Sequence, residues 1–149
     1  MPSPASHAPN QYPGVTISST FKDLKEHRAA LIKIIKGNCM TDVAMENDSA
    51  KLDDIIGSSL QMVRDGSAYI GIVSHRYGNV PQCPDRNPNG LSITELEFDE
   101  ATRLHRPILL FVMGEDHPVL KKDVETDPVL IQKLAAFLEK PRSPPPPPR

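Results

Sequence analysis

With 149 residues, 38% hydrophobic and 24% charged, the chain has the length of one domain and the composition of an ordinary water-compatible fold. A net charge of −2, with lysines and arginines spread along the sequence, offers no cationic run for nucleic acid to neutralise, and no window approaches the ~18 uninterrupted apolar residues of a membrane span. Met1 to His7 lack a basic patch followed by an apolar core, so no secretory leader is expected and the cytoplasm is the expected compartment.

Residues 1–13 hold four prolines among Ser, Asn and Gln without helical or strand periodicity, and read as a disordered lead-in. Val15 to Ser18 opens with β-branched residues and reads as a first strand. It breaks at Ser18-Ser19-Thr20, after which Leu24, Leu31, Ile34 and Ile35 recur at helical spacing as far as Lys36, with Thr20 and Asp23 as a capping pair. Cys39 to Ala44 reads as a short second strand. Leu52, Ile55, Ile56, Leu60 and Val63 give a second helix over about 51–65, stopped by Asp65-Gly66.

Ala68 to Val73 is unbroken Ala-Tyr-Ile-Gly-Ile-Val, the pattern of a strand covered on both faces. A long loop rich in proline and asparagine, Asn79 to Gly90, follows it. Ser92 and Glu95 form a capping box that opens a third helix to about His105, with Leu96 and Leu104 facing inward and Phe98 and Ala101 beside them. Pro107 to Val112 is a fourth strand, and Pro128 begins a fourth helix reaching Lys140. The tail, 141–149, contains five consecutive prolines and reads as an extended segment outside the core.

Strands alternating with helices predict an α/β domain over 14–140: a doubly wound parallel sheet of about four strands in the order 2-1-3-4. In such a sheet ligands meet the carboxyl ends of the strands where the strand order reverses. That rim collects Ser18, Ser19 and Thr20 from one strand and His75, Arg76 and Tyr77 from another. Hydroxyls and backbone N–H groups at a helix start suit phosphate or ribose; an arginine can clamp phosphate and a tyrosine can stack on a ring. Each group also has a structural reading, as a helix cap or as a pin for the long loop. Cys39 and Cys83 belong to no paired motif, so free thiols and no metal site are expected.

Three ordered blocks, Ile17-Ser18-Ser19-Thr20-Phe21-Lys22-Asp23-Leu24 through Arg28, Tyr69 to Val73 with Arg76-Tyr77-Gly78, and Ser92 to Phe98 with Ala101, resemble the domain of unknown function 4062. The resemblance implies a flavodoxin-like, TIR-like domain of the kind found at the N-terminus of NACHT or other STAND-type proteins, with a signalling or effector role related to defence. The partners it implies are proteins: a downstream NTPase module or further copies of the domain, with neither nucleic acid nor membrane. Relatives continue into another strand and helix where this chain turns into Pro141-Arg142-Ser143 and polyproline, so the last strand and helix are expected to be lacking. A non-functional gene fragment is the bland alternative.

The family is distantly similar to nucleoside deoxyribosyltransferases and to TIR domains that cleave NAD, whose key residue is a glutamate early in the helix after strand 3, followed four residues later by a small residue. Glu97 with Ala101 has that spacing. The enzymatic alternative is therefore an NAD or nucleotide N-glycosidase with Glu97 as the catalytic carboxylate, Ser18, Ser19, Thr20, Arg76 and Tyr77 as ligand contacts, and NAD as substrate rather than cofactor. On the structural reading, Glu97 merely favours the helix dipole and pairs with Arg76 or Arg103. Lys22, Lys25, Glu26 and Arg28 read as a solvated helix face.

Overall fold

The computed structural model describes residues 13–20, 24–38, 40–43 and 55–141. The lead-in before Pro13, Asp23, Cys39, Ala44, Leu52 and the polyproline run lie outside the described residues. Strands β1 (Gly14–Ser19), β2 (Thr41–Val43), β3 (Ala68–Val73) and β4 (Ile108–Val112) are joined by α1 (Lys25–Gly37), α2 (Ile55–Asp65) and α3 (Ile93–Arg103), and α4 (Pro128–Glu139) follows β4. The result is a mixed α/β unit built on an open parallel sheet.

β3 lies between β1 and β4 and is parallel to both, with Ile70 level with Ile17 on one side and Leu109 on the other. The three-residue β2 pairs with the start of β1, giving the spatial order β2-β1-β3-β4. Parallel neighbours need crossovers, and each crossover carries a helix.

Alternation along the strands divides the core in two. Val15, Ile17, Ala68 and Ile70 meet Leu31, Ile32 and Ile35 of α1 on one face. Tyr69, Val73 and Leu110 meet Val63 of α2, Phe98 and Ala101 of α3, and Phe137 of α4 on the other. Phe98 is the hub there: its ring lies edge-on to Tyr69 at 6.4 Å and to Phe137 at 5.2 Å, within the range where such pairs add to area burial.

Helix ends follow local chemistry. Ser92 Oγ accepts from Glu95 N at 3.2 Å, and Asp127 Oδ1 accepts from Val129 N at 2.9 Å with Pro128 in the first turn. α3 ends at His105, which takes a left-handed φ of 55° that glycine usually fills. α1 differs from the expectation: Leu24 stands at its N-cap and supplies no side-chain bond.

Two packing expectations also need correction. Ile34 is 59% exposed rather than part of the α1 core, because the sheet face it approaches has no helix over β4. Leu96 is only half-buried; the positions that α3 turns inward include Thr94, Glu95, Glu97 and Glu100.

α4 is held at both levels of its length. Leu130, Leu134 and Phe137 pack on the α3 side of the core, and Lys140 Nζ reaches Asp99 Oδ1 at 2.8 Å and Glu95 Oε2 at 2.5 Å. Phe137→Ala should therefore cost about 3–5 kcal/mol of global stability, seen as a lower urea midpoint in a single transition; a change confined to local fraying would show that α4 is not part of the cooperative core.

Candidate functional site

The carboxyl ends of β1 and β3 diverge around the N-terminal half of α3, and a cavity of about 620 Å³ opens there. Its walls carry Ser18, Ser19 and Thr20 from the end of β1, Arg28 from α1, Arg76 after β3, and Thr94 and Glu97 from α3. Ile17, Ile55, Met62, Ile93 and Leu130 supply apolar lining. A mostly apolar cleft with a few convergent polar groups is the usual form of a small-molecule site.

β1 does not end freely. Thr20 N donates to Ile72 O at 3.1 Å, and Thr20 Oγ1 accepts from Ser74 N at 2.8 Å. Thr20 thus works as a clasp between the ends of β1 and β3. Gly78 completes it, with φ +100° and its backbone so close that an added Cβ would stand 3.2 Å from Thr20 O. Of the three β1 hydroxyl residues, Ser18 points deepest: it is buried and its Oγ donates to Thr94 Oγ1 at 3.2 Å.

Glu97 is the electrostatic anomaly of the site. Its residue is 3% exposed, and Oε2 is buried without a hydrogen-bond partner among the described residues. Desolvation pushes its carboxyl up from 4.5 to about 7, opposed by the Ser18 hydroxyl, the Arg28 charge and the Ser59 hydroxyl. The pairing expected on the structural reading does not form. Arg103 Nε binds Glu100 Oε2 at 3.1 Å, and Arg76 Nη2 donates to Lys122 O at 2.6 Å.

Tyr69 joins this polar group from below. Its buried hydroxyl donates to Thr94 O at 3.2 Å, and burial, then the nearby Glu97 charge, push its pKa well up, so it remains a neutral donor. A perturbed carboxyl in a cleft, surrounded by neutral hydroxyls and one guanidinium, is the arrangement from which ligand-directed chemistry is expected.

The other glutamate early in α3 serves a different end. Glu95 Oε1 accepts from Tyr77 Oη at 2.6 Å, and its second oxygen takes Lys140. Only half of the expected capping box forms, since the carboxylate that would turn back to Ser92 is spent on these partners. Tyr77 is fully buried in the α2–α3–α4 core and is not in the cavity wall. The rim therefore brings together Ser18, Ser19, Thr20, Arg76 and Glu97, and leaves Tyr77 behind it.

Sequence reasoning missed Arg28, Ser59 and Thr94. Arg28 was assigned to a solvated face, yet α1 passes close enough to the rim for its guanidinium to act on Glu97. Ser59 carried a signal: it lies three residues from Ile56 and four from Val63, on the inward stripe of α2. The expected surface loop after β3 is braced rather than loose, since Asn87 is buried and its side chain bonds Pro81 O, Leu91 O and Leu91 N. Cys83 is a free thiol, and no cluster of three metal-ligating side chains occurs among the described residues. No helix among the described residues is long and apolar enough to cross a membrane.

The raised Glu97 pKa has a stability consequence with a definite sign. Between pH 4.5 and about 7 the unfolded chain ionises this carboxyl while the folded chain still holds the proton, so rising pH favours unfolding across that window. Replacing it by a neutral isostere removes the penalty. Glu97→Gln should match the wild type near pH 4.5 and exceed it by on the order of 2–3 kcal/mol at pH 8, measured by chemical denaturation at both values. Tyr77→Phe should instead cost about 1–2 kcal/mol at every pH in that range by stripping a buried carboxylate of its donor, and should leave ligand affinity at the cavity unchanged.

Neither a curated protein nor a solved structure matches the chain. A family model does, over residues 14–145, which covers the whole α/β unit with its rim and its α4. The chain belongs to the family described as the domain of unknown function DUF4062.

Proposed function

We propose that this domain is a TIR-like effector module that binds a nucleotide at the carboxyl rim of its sheet and breaks an N-glycosidic bond there, with NAD as the representative substrate. The observation that carries the reading is Glu97: a buried carboxyl with one unpartnered oxygen on the wall of a 620 Å³ cavity. The order of the strands, the helices on both faces and the position of the cavity where that order reverses support the doubly wound, flavodoxin-like reading that goes with it.

The chemistry asks little of the protein beyond electrostatics. The C1′–N bond breaks, its electron pair neutralises the pyridinium ring as nicotinamide leaves, and positive charge develops on the ribose carbon and ring oxygen. A carboxylate stripped of water stabilises that cation far better than a hydrated one. Water then adds to C1′ and releases a proton, giving ADP-ribose. Arg28 and Arg76 are the cations available to the diphosphate, and Ser18 and Ser19 offer hydroxyls to the ribose.

Glu97 must be ionised to do this, so kcat/KM should rise through pH 7 from the acid side. Purified protein incubated with NAD should release nicotinamide, and Glu97→Gln should lower the rate by about 10²-fold or more while thermal melting shows the variant folded. Absence of release by the wild type, together with no stabilisation of its melt by NAD or ADP-ribose, would overturn the nucleotide reading.

A second reading, a signalling module that acts through protein contacts alone, is favoured by one observation outside the cavity: β4 leaves Leu109 and Phe111 about half exposed on the α1 face. The two readings are compatible, because the rim and that surface lie on different parts of the sheet.

A further inference from the structure

β4 is the terminal strand of the sheet, and it combines three features that edge strands normally avoid. It is apolar along its whole length, Ile-Leu-Leu-Phe-Val. Its α1-side face has no helix over it, so Leu109 is 52% and Phe111 45% exposed, with Ile34 of α1 at 59% beside them. These side chains and His27, Ile72 and His117 border an apolar groove of about 380 Å³. No charged side chain falls within the strand to protect it.

The backbone fixes how a partner can add. Pro107 O accepts from Tyr69 N, and Met113 N donates to Val73 O, both at 2.9 Å. By alternation the odd-numbered residues direct their peptide groups toward β3, and Ile108, Leu110 and Val112 direct theirs away from the sheet. Three residues with N–H and C=O aimed outward, centred on Leu110, form a self-complementary edge.

We propose that the occupant of this edge is β4 of a second copy of the chain, paired antiparallel about a two-fold axis at Leu110. In that register Leu110 faces Leu110, Ile108 faces Val112, and each pair exchanges both of its hydrogen bonds. The intervening non-bonded pairs set Leu109 of one copy against Phe111 of the other, the closer of the two cross-strand spacings and the better one for an aliphatic on an aromatic. Charge agrees with the direction. Arg106, just before the strand, comes opposite Gly114 and beside Glu115 and Asp116 of the other copy, both of which are exposed. A parallel pairing would instead set Arg106 against Arg106 and the acidic ends against each other. An isologous contact of this kind closes at two copies and does not propagate, and it joins two four-stranded sheets into one.

The test is sedimentation velocity on the full chain over roughly 1–100 μM, the range of weak to moderate dimers. Wild type should move from monomer to dimer across it, and Phe111→Lys should raise the dissociation constant by at least about tenfold with an unchanged melting temperature. The register is tested by charge exchange. Arg106→Glu alone and Glu115→Lys alone should each weaken self-association, because each sets like charges together at both ends. An equimolar mixture of the two should restore it, because both ends then pair opposite charges. A chain that stays monomeric at 100 μM assigns the edge to some other protein and overturns the proposal, as does a dimer indifferent to Phe111→Lys. Failure of the mixture to restore association overturns the antiparallel register. None of these readings depends on nucleotide turnover, so they succeed or fail apart from the site at Glu97.

Discussion

Helix α3 turns three glutamates toward the interior, and the way each carboxylate is accommodated organises this structure. Glu100 is neutralised by Arg64 and Arg103, and the Arg103 hydrogen bond holds its pKa below the usual range. Glu95 is neutralised by Lys140 and a tyrosyl hydroxyl. Glu97 receives hydroxyls and the field of one arginine, and burial wins. A buried anion without a matched cation is normally selected out because it costs several kcal/mol; where one persists beside a cavity, a ligand is the natural source of the missing positive charge. The developing cation of a glycosidic bond in cleavage has that charge, and it exists only at the moment of reaction.

The fold serves this arrangement by division of labour between the two sheet faces. On the α1 side the contacts are almost wholly apolar, and they fix the sheet. On the other side the aromatic group of Tyr69, Phe98 and Phe137 supplies the packing that lets the first turns of α3 carry polar groups instead. α4 matters for the same reason. Its phenylalanine closes that group and its terminal lysine neutralises Glu95, so the helix farthest from the rim in sequence sustains the element that forms its wall.

How much of this was legible in advance depended on whether local chemistry or tertiary placement decided the matter. β3 and the opening of α3 were readable because a continuous apolar run and a serine followed three residues later by glutamate are local signals. The inward face of α3 was not, since hydrophobic periodicity singles out Leu96 and Leu104, and a helix that walls a polar cavity breaks that rule where function requires it. Glu97 was found through a resemblance in spacing, not through its hydropathy. Tyr77 was misplaced because a tyrosine after a strand has the same local signature whether its ring enters a cavity or a core; the choice is made by Glu95 and Lys140, one of them more than 60 residues away in the chain. Arg28 was hidden by its polar neighbours along α1, and only the approach of that helix to the rim reveals its second role.

The carboxylate of Glu95 is a knot tied from two threads. One thread comes from the residue after Arg76, the other from the last turn of α4. A force that drew α4 away from α3 would leave that anion with a phenol as its remaining ligand and slacken the segment that carries the rim arginine. Whatever grips the distal helix therefore has leverage on the mouth of the cavity, through a connection made of side chains and with no hinge in the backbone.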